Sequence, residues 1–408
     1  GTNVYAQSQV LEEVIVTAQK REQSVMDVPI SIGVMTGTTI DEFDIGDMTD
    51  LQSFMPSLTV QSTFGNYAVR IRGIGSGVTN LAFDSSVTVY NDGVYCGRSK
   101  CLESAFLDVD RIEVSRGPQG ALFGKSTVAG AISMVSRKPT DEFEGYVRGN
   151  YDFETDTWVA NAVVSGPLTD TLRGRIATSY TDTSGWVENP FVSDDEPSGD
   201  NWLARGALSW DASDTTTFDL KLEGGDSSLD GRSNQLVSDL GLFPAINTDP
   251  NPEYKPDDKR RVSTGIPGKE DFIESDFTLA TLTMNTELYE HSVVGIASYW
   301  SYDQDWFLDV DGTPESYLNT YLSDEYDSTS FELRALSPTG QTFEYIVGAW
   351  YQDSNTKTKQ YSPFDPRFFE GLGLPPFLIA PTANGMDRNF DRDTSVYSIY
   401  AQLTWNIT

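Results

Sequence analysis

Basic residues are scarce in this 408-residue chain: 28 lysines and arginines stand against 61 aspartates and glutamates, a net charge of −33. That balance argues against a nucleic-acid partner, because holding phosphates needs a basic surface. Histidine is nearly missing, with His291 the single one, and cysteine stops at Cys96 and Cys101. No further Cys or His completes a metal half-site. A local disulfide in an oxidising compartment is therefore the better reading of the pair. Closing so short a loop contributes about 2 kcal/mol in the chain-entropy treatment. No apolar run approaches the roughly 18 residues of a membrane helix. This leaves a β-barrel open, since a barrel wall needs apolar residues only at alternate positions. No paired acids form a recognisable catalytic site, so no enzyme, cofactor or metal centre is expected.

Aromatics (12%) and glycine (34 residues) are plentiful, as a wall with girdles and tight turns requires. The densest pattern is VDRIEVSRGPQGALFGKSTVAGAISMVSRKP, from Val109 to Pro139. Ile112 and Val114 alternate with polar neighbours, as in a half-buried strand. Arg116-Gly117-Pro118 breaks it, because Pro118 has no N–H for a ladder and Gly117 tolerates positive φ. Ala131 to Val135 resumes an apolar strand, which Pro139 stops. This stretch resembles the plug-domain signature of TonB-dependent outer-membrane receptors, where plug gives way to barrel. Gly124-Lys125-Ser126 is no P-loop, since position 119 is Gln where that motif needs Gly.

The resemblance implies three segments: a leader with a TonB box over 1–24, a small mixed α/β plug over 25–139, and barrel strands over 140–408. The TonB box is assigned to Glu13, Val14, Ile15, Val16, Thr17 and Ala18, an extended run suited to adding a strand to a periplasmic partner. Gly1 to Ala6 has the small-residue ending of a secretory signal, without a charged or apolar region before it. In the plug, Pro29 to Met35 reads as a strand and Thr38 to Phe43 as a short helix. Asp47 caps a second helix ending near Phe54, and Val69 to Ile74 alternates as another strand. Asn91-Asp92-Gly93 marks a tight hairpin. The family presents plug loops to ligand, which points to Asn80, Phe83, Arg98 and Lys100. It also pairs plug arginines with glutamates of the inner wall, a role implied for Arg72 and Arg116.

From Phe143 onward the period changes to two. Trp202, Ala204, Gly206, Leu208 and Trp210 share one face, while Arg205, Ala207 and Ser209 share the other. Tyr397, Ile399, Ala401, Leu403 and Trp405 likewise oppose Ser398, Tyr400, Gln402, Thr404 and Asn406. The tryptophans at 202 and 210 lie about 26 Å apart along a strand, or about 20 Å in height after tilting, close to the apolar band of an outer-membrane wall. Ten such segments start near Phe143, Trp158, Leu172, Trp202, Thr216, Phe277, Val293, Thr329, Phe343 and Val396. Short connections alternate with long ones, as periplasmic turns alternate with outer loops. The long loops are acidic; Asp309-Val310-Asp311-Gly312 lacks the remaining ligands of a calcium loop.

Ten strands close with a radius of about 10 Å, too narrow for a plug of roughly 13 Å radius of gyration. Twenty-two strands give about 22 Å. The chain therefore reads as the N-terminal part of a longer barrel. The resemblance implies an energy-coupled importer in the outer membrane of a Gram-negative bacterium. Its partners would be the periplasm-spanning TonB protein, outer-membrane lipid and lipopolysaccharide, and a scarce solute. A ferric siderophore or other iron chelate is the first expectation. Oligosaccharide, cobalamin and a non-transporting surface receptor are the alternatives.

Overall fold

The computed structural model describes residues 14–17, 20–21, 23–63, 66–77, 84–123, 125–189, 194–231, 271–310, 318–363, 365 and 385–407. Two short strands, β1 (Ile15–Val16) and β2 (Gln23–Ser24), pair antiparallel ahead of the plug. The plug proper begins with β3 (Ile32–Thr36), α1 (Gly37–Glu42) and α2 (Met48–Phe54). Thr36 caps α1, and Asp47 caps α2 by accepting from the N–H groups of Thr49 and Asp50, which satisfies otherwise orphaned donors. Then come β4 (Leu58–Thr63), β5 (Asn66–Ile71), β6 (Ile74–Gly75), β7 (Val87–Asn91) and β8 (Val94–Tyr95). A 3₁₀ turn (Ser99–Ser104), β9 (Val109–Arg116), α3 (Gly120–Phe123) and β10 (Gly130–Ser136) complete it.

The main plug sheet runs β3-β9-β10-β7-β8, with only β10 and β7 parallel, and β4-β5-β6 form a second sheet. Ile112 and Ile132, on neighbouring strands of the first, are fully buried against a core that includes Met48 and Leu51 of α2. Asp92 and Gly93 both adopt positive φ (47° and 83°), giving the two-residue turn that the strand twist favours between β7 and β8.

The wall is one ten-stranded antiparallel sheet. Its strands are β11 (Glu144–Asp152), β12 (Thr157–Pro167), β13 (Leu172–Thr183), β16 (Ser198–Ser213), β17 (Thr216–Asp230), β18 (Phe272–Leu288), β19 (His291–Asp309), β20 (Asn319–Leu336), β21 (Phe343–Pro363) and β22 (Gly385–Trp405). A small hairpin of β14 (Val187–Asn189) and β15 (Asp194–Glu196) sits in the loop after β13. The faces fall as the alternation requires. Trp202, Leu208, Trp210, Ile176, Phe331, Leu333, Ile399 and Leu403 are exposed on the outside, while Arg175, Arg205, Lys221, Glu223 and Glu332 are buried inside. Part of the inner face is apolar. Phe277, Leu279, Ile296, Trp300, Tyr302 and Tyr326 join the plug's own core cluster, so the wall buries the plug as a second layer.

Two readings need correction. Val69 to Ile74 is not one strand: Arg72 (φ 53°) and Gly73 (φ 80°) reverse the chain, so β5 ends at Ile71 and β6 folds back on it. The wall strands also outgrow the expected ten residues, reaching 21 in β21 and β22. About ten residues cross the apolar band, and the rest extend beyond it, where charges such as Asp391, Arg392 and Asp393 occupy both faces and hide the alternation.

Gly130 opens β10 at φ 151°, and a Cβ there would meet the Ser115 carbonyl and come within 2.9 Å of Ile71 Cδ1. Gly130→Ala is therefore expected to destabilise the plug by about 1–3 kcal/mol. Hydrogen exchange across β9 and β10 should accelerate accordingly, and unchanged protection would refute the steric account.

Candidate functional site

The plug–wall interface concentrates the buried charge of the molecule. Period-two geometry places Arg205 of β16 and Glu223 of β17 directly opposite each other on the inner face. Arg205 Nε lies 2.5 Å from Glu223 Oε2, while Arg205 Nη1 donates to the Leu107 carbonyl at 2.5 Å and Nη2 to the Ser104 carbonyl at 3.4 Å. One guanidinium thus joins a wall carboxylate to the chain just after the plug's 3₁₀ turn. Arg175 of β13 makes a bidentate contact with Asp108 (2.5 and 2.6 Å) and reaches Glu144 at 2.5 Å. This planar fork is the strongest geometry for such a pair.

The β7–β8 hairpin docks beside it. Lys221 Nζ donates to Asn91 Oδ1 and Asp92 Oδ2, each at 2.5 Å, and Asn91 Nδ2 donates to Glu223 Oε1 at 3.1 Å. Ser136 gives Asp92 two more bonds, from N and Oγ, both 2.8 Å. Burial pushes the Asp92 carboxyl up, but Lys221 and Arg205 outweigh it and hold the group at about 2. Below, Asp41 pairs with Arg137 at 2.8 Å and with Arg148 of β11 at 2.9 Å.

The leader is fastened to both bodies. Thr17 donates from N (2.9 Å) and Oγ1 (3.1 Å) to Glu113 Oε1, which also receives Arg111 Nε at 2.8 Å. Lys20 reaches Glu332 of β20 at 2.7 Å, and Tyr400 OH donates to the same carboxylate at 2.6 Å. Arg21 pairs with Glu344 at 2.8 Å and donates to the carbonyls of Ser337 and Tyr345. Val16 is fully buried.

On the side away from the short turns, Arg98 donates to Thr356 at 3.3 Å and lies 5.5 Å over the Tyr326 ring. Lys125 sits over the Tyr95 ring at 4.9 Å and pairs with Asp84, which also meets Arg392. Burial raises the Asp84 carboxyl, yet Lys125 and Arg98 bring it below its ordinary value.

Several expected site residues are placed differently. Arg98 and Lys100 are buried, Arg98 against the wall and Lys100 on Glu103 at 2.5 Å, so neither is a free loop cation. Asn80, Phe83, Glu13 and Ala18 lie outside the described residues. Among the described residues Arg72 and Arg116 make no ion pair with the wall; both reach Ser31 Oγ, at 3.5 and 3.4 Å. The buried wall glutamates are already occupied, Glu223 by Arg205 and Lys221, and Glu332 by Lys20 and Arg334. Cys96 and Cys101 form a disulfide. Sequence reasoning missed Lys20, Arg21 and Asp108 as anchors. It did place Arg205 on the polar face of its strand, and the same period-two alternation was the available signal for Arg175, Lys221, Glu223 and Glu332.

A small α/β globule seated by buried ion pairs against a curved wall, apolar outside and polar inside, defines a plugged outer-membrane barrel. Residues 24–131 match the family described as TonB-dependent Receptor Plug Domain. The chain is 25% identical over 368 residues to the ferric-pyoverdine 358 receptor of Pseudomonas putida, covering 84% of this chain and 41% of that protein. The ferric yersiniabactin uptake receptor FyuA of Yersinia pestis superposes with a TM-score of 0.72 at 18% identity, over 93% of this chain and 54% of that one. The ferripyoverdine receptor of Pseudomonas aeruginosa gives 0.70 at 17% identity, over 97% and 52%. The chain carries a TonB-dependent receptor plug domain, is homologous to the TonB-dependent receptors of Gram-negative outer membranes, and spans about half their length.

Glu223→Ala would strand Arg205 in a buried site without its carboxylate. A loss of about 3–5 kcal/mol in plug attachment is expected, read as a lower urea concentration for protease cleavage of the plug; a shift under about 1 kcal/mol would show that the carbonyls alone hold Arg205. The pH response has a defined sign. Asp92 has its folded pKa (about 2) below the roughly 3.9 of an unfolded Asp, so its contribution is complete above about pH 4 and disappears as pH falls through 2. Exchange protection of the hairpin should be constant from about pH 7 to about pH 4 and fall below that, and Asp92→Asn should abolish the acid step.

Proposed function

We propose that this chain supplies the plug, the TonB box and barrel strands of an energy-coupled outer-membrane importer of a ferric siderophore. The proposed organisation is leader 1–24, plug 25–139 and wall 140–408. The observation that carries the reading is the mounting of Val14–Thr17. The segment is extended, pairs through only two residues of β1, and ends on Glu113 in the plug strand β9, which lies between β3 and β10. A pull on such a segment passes straight into the plug sheet, while a short pairing gives way before the sheet does. A periplasmic partner adding its own strand to this run would exploit the same backbone groups.

Iron chelates are favoured because the relationship to the ferric-pyoverdine receptor extends through 84% of this chain, wall as well as plug. No enzymatic role is proposed. The outer lipid face would contact outer-membrane lipid and lipopolysaccharide, and cargo would arrive from the side of the long loops.

Deleting Glu13–Ala18 in the full-length receptor is expected to leave chelate binding within about twofold of wild type and to reduce uptake to the level of cells lacking the energy-coupling partner. Uptake that continues unchanged would refute the importer reading. A panel of ferric chelates, oligosaccharides and cobamides identifies the cargo in the same assay; uptake of a glycan or cobamide alone would refute the siderophore assignment.

A further inference from the structure

A groove of about 340 Å³ opens on the outer face of the wall, near the far ends of β18–β22. Strand parity fixes its orientation. Tyr321 and Ser323 of β20 stand on the face of Phe331 and Leu333, and Lys359 and Tyr361 of β21 on that of Phe343 and Val347, the outward apolar residues of those strands. Height follows from strand length. Tyr351 and Tyr397, in ring contact at 5.3 Å, stand at the upper edge of the apolar band, with Asp353 and Ser395 next above them. Tyr361 lies about 33 Å farther along β21, or about 25 Å higher on a wall tilted by about 40°. The groove thus belongs to the layer outside the hydrocarbon, on the face that meets lipid lower down.

Two rows of side chains build it. The upper row is aromatic. Phe307, Tyr321 and Tyr361 are successive cross-strand partners with ring centroids 4.6 and 6.4 Å apart, and Tyr361 keeps 49% of its surface exposed. The lower row is polar: Glu274, Asp305, Ser323, Lys359 and Asn389 face one another in turn across β18–β22. Ser323 is the smallest of them and leaves the floor open beneath the rings. Glu274 and Asp305 are directly opposed carboxylates, an arrangement that costs stability. Among the described residues neither of them, nor Lys359, is in an ion pair.

Ring faces beside hydrogen-bonding groups without charged partners suit a pyranose. Its C–H face lies against an aromatic ring, while its hydroxyls donate to carboxylates and accept from an ammonium or amide. A protein partner needs about 800 Å² a side, far more than this groove offers. Glu274, Asp305 and Asp387 disfavour phosphate-bearing sugars, which leaves neutral hexoses.

We propose that this groove binds the neutral hexose part of the core saccharide of lipopolysaccharide in the surrounding outer leaflet. The inference rests on the contact with lipopolysaccharide proposed above and adds its saccharide site; it does not depend on import. Continuity identifies the occupant. The groove rises from the lipid-facing wall, so the molecules that cover that wall extend past it.

The test titrates the detergent-solubilised full-length receptor with two purified lipopolysaccharides. One has a complete core; the other is the deep-rough form, which keeps lipid A and only the innermost acidic sugars. The complete form is expected to bind roughly fivefold or more tightly than the deep-rough form. Tyr361→Ala should erase that difference and leave deep-rough binding within about twofold of wild type. Tyr361→Phe, which keeps the ring, should preserve the difference. Core oligosaccharide released by mild acid should compete for the same increment.

Equal binding of the two forms by the wild type would overturn the saccharide site while leaving the lipid contact standing. An unchanged preference in Tyr361→Ala, or an equal loss for both forms, would overturn the placement of the site. Stronger competition by an unrelated glycan than by core oligosaccharide would overturn its source. Binding of neither form would refute the lipopolysaccharide contact and the site together. Chelate uptake by Tyr361→Ala is expected to match wild type, so failure of import is read separately.

Discussion

A charge taken out of water must meet an opposite charge or strong dipoles, and that requirement seats the plug. Arg175 and Arg205 project into a lumen filled by the plug, where solvent cannot screen them. The partners they find are not interchangeable. Asp108 stands at the entrance to β9, held in a left-handed backbone conformation (φ 46°) that brings its carboxylate against Arg175. The Leu107 and Ser104 carbonyls reach Arg205 only because the 3₁₀ turn ends there. A rotation of the plug by one strand spacing, ~4.8 Å, would take Asp108 from Arg175 and the plug carbonyls from Arg205, leaving each guanidinium only its wall carboxylate, Glu144 or Glu223. Apolar contact around Trp300 and Phe277 supplies attraction without direction; the ion pairs supply the direction.

This division of labour explains what could be read from the sequence. The wall was legible because burial on one face and lipid on the other impose period two, and residues 202 to 210 and 397 to 405 obey it. The hairpin at Asp92-Gly93 was legible because two successive positive φ values need those residue types. The anchors were not. Arg175 and Asp108 are 67 residues apart, and Lys20 and Glu332 are 312 apart, so their pairing depends on how two separately folded sheets meet. Arg72 and Arg116 have the right charge and sit in recognisable motifs. Motif membership nevertheless says nothing about which cation reaches a glutamate first, and Arg205, directly across the ladder from Glu223, has the shorter path.

The outward extension of the later strands escaped for a related reason. Alternation is visible only where the two faces meet different solvents. In β22 the residues from Val396 to Trp405 face lipid on one side, whereas Asp387 to Asp393 carry charge on both faces and read as loop. Backbone pairing with β21 nonetheless continues unbroken to Gly385. Ladder hydrogen bonds do not depend on which solvent surrounds the side chains, so strand length outruns the hydrophobic signal that announces it.

On the proposed importer reading the leader has to be held and yet come free, and its charges suit both demands. Burial lowers the pKa of the Lys20 ammonium; Glu332 opposes the shift without cancelling it, and Arg334 adds to it. The charged form of Lys20 is thus less comfortable at its site than in water. A contact of this kind fixes position, because the Lys20 ammonium is held by both oxygens of Glu332, but it contributes little net stability. If Lys20 were drawn away, recovered hydration would offset much of the lost Coulomb attraction, and Arg334 and Tyr400 would remain to satisfy Glu332. An apolar anchor of equal area would offer no such compensation, since every step of its withdrawal exposes more apolar surface to water. A short strand followed by a buried, partly compensated ion pair is therefore better suited than a purely apolar anchor to the withdrawal that the proposed coupling would require.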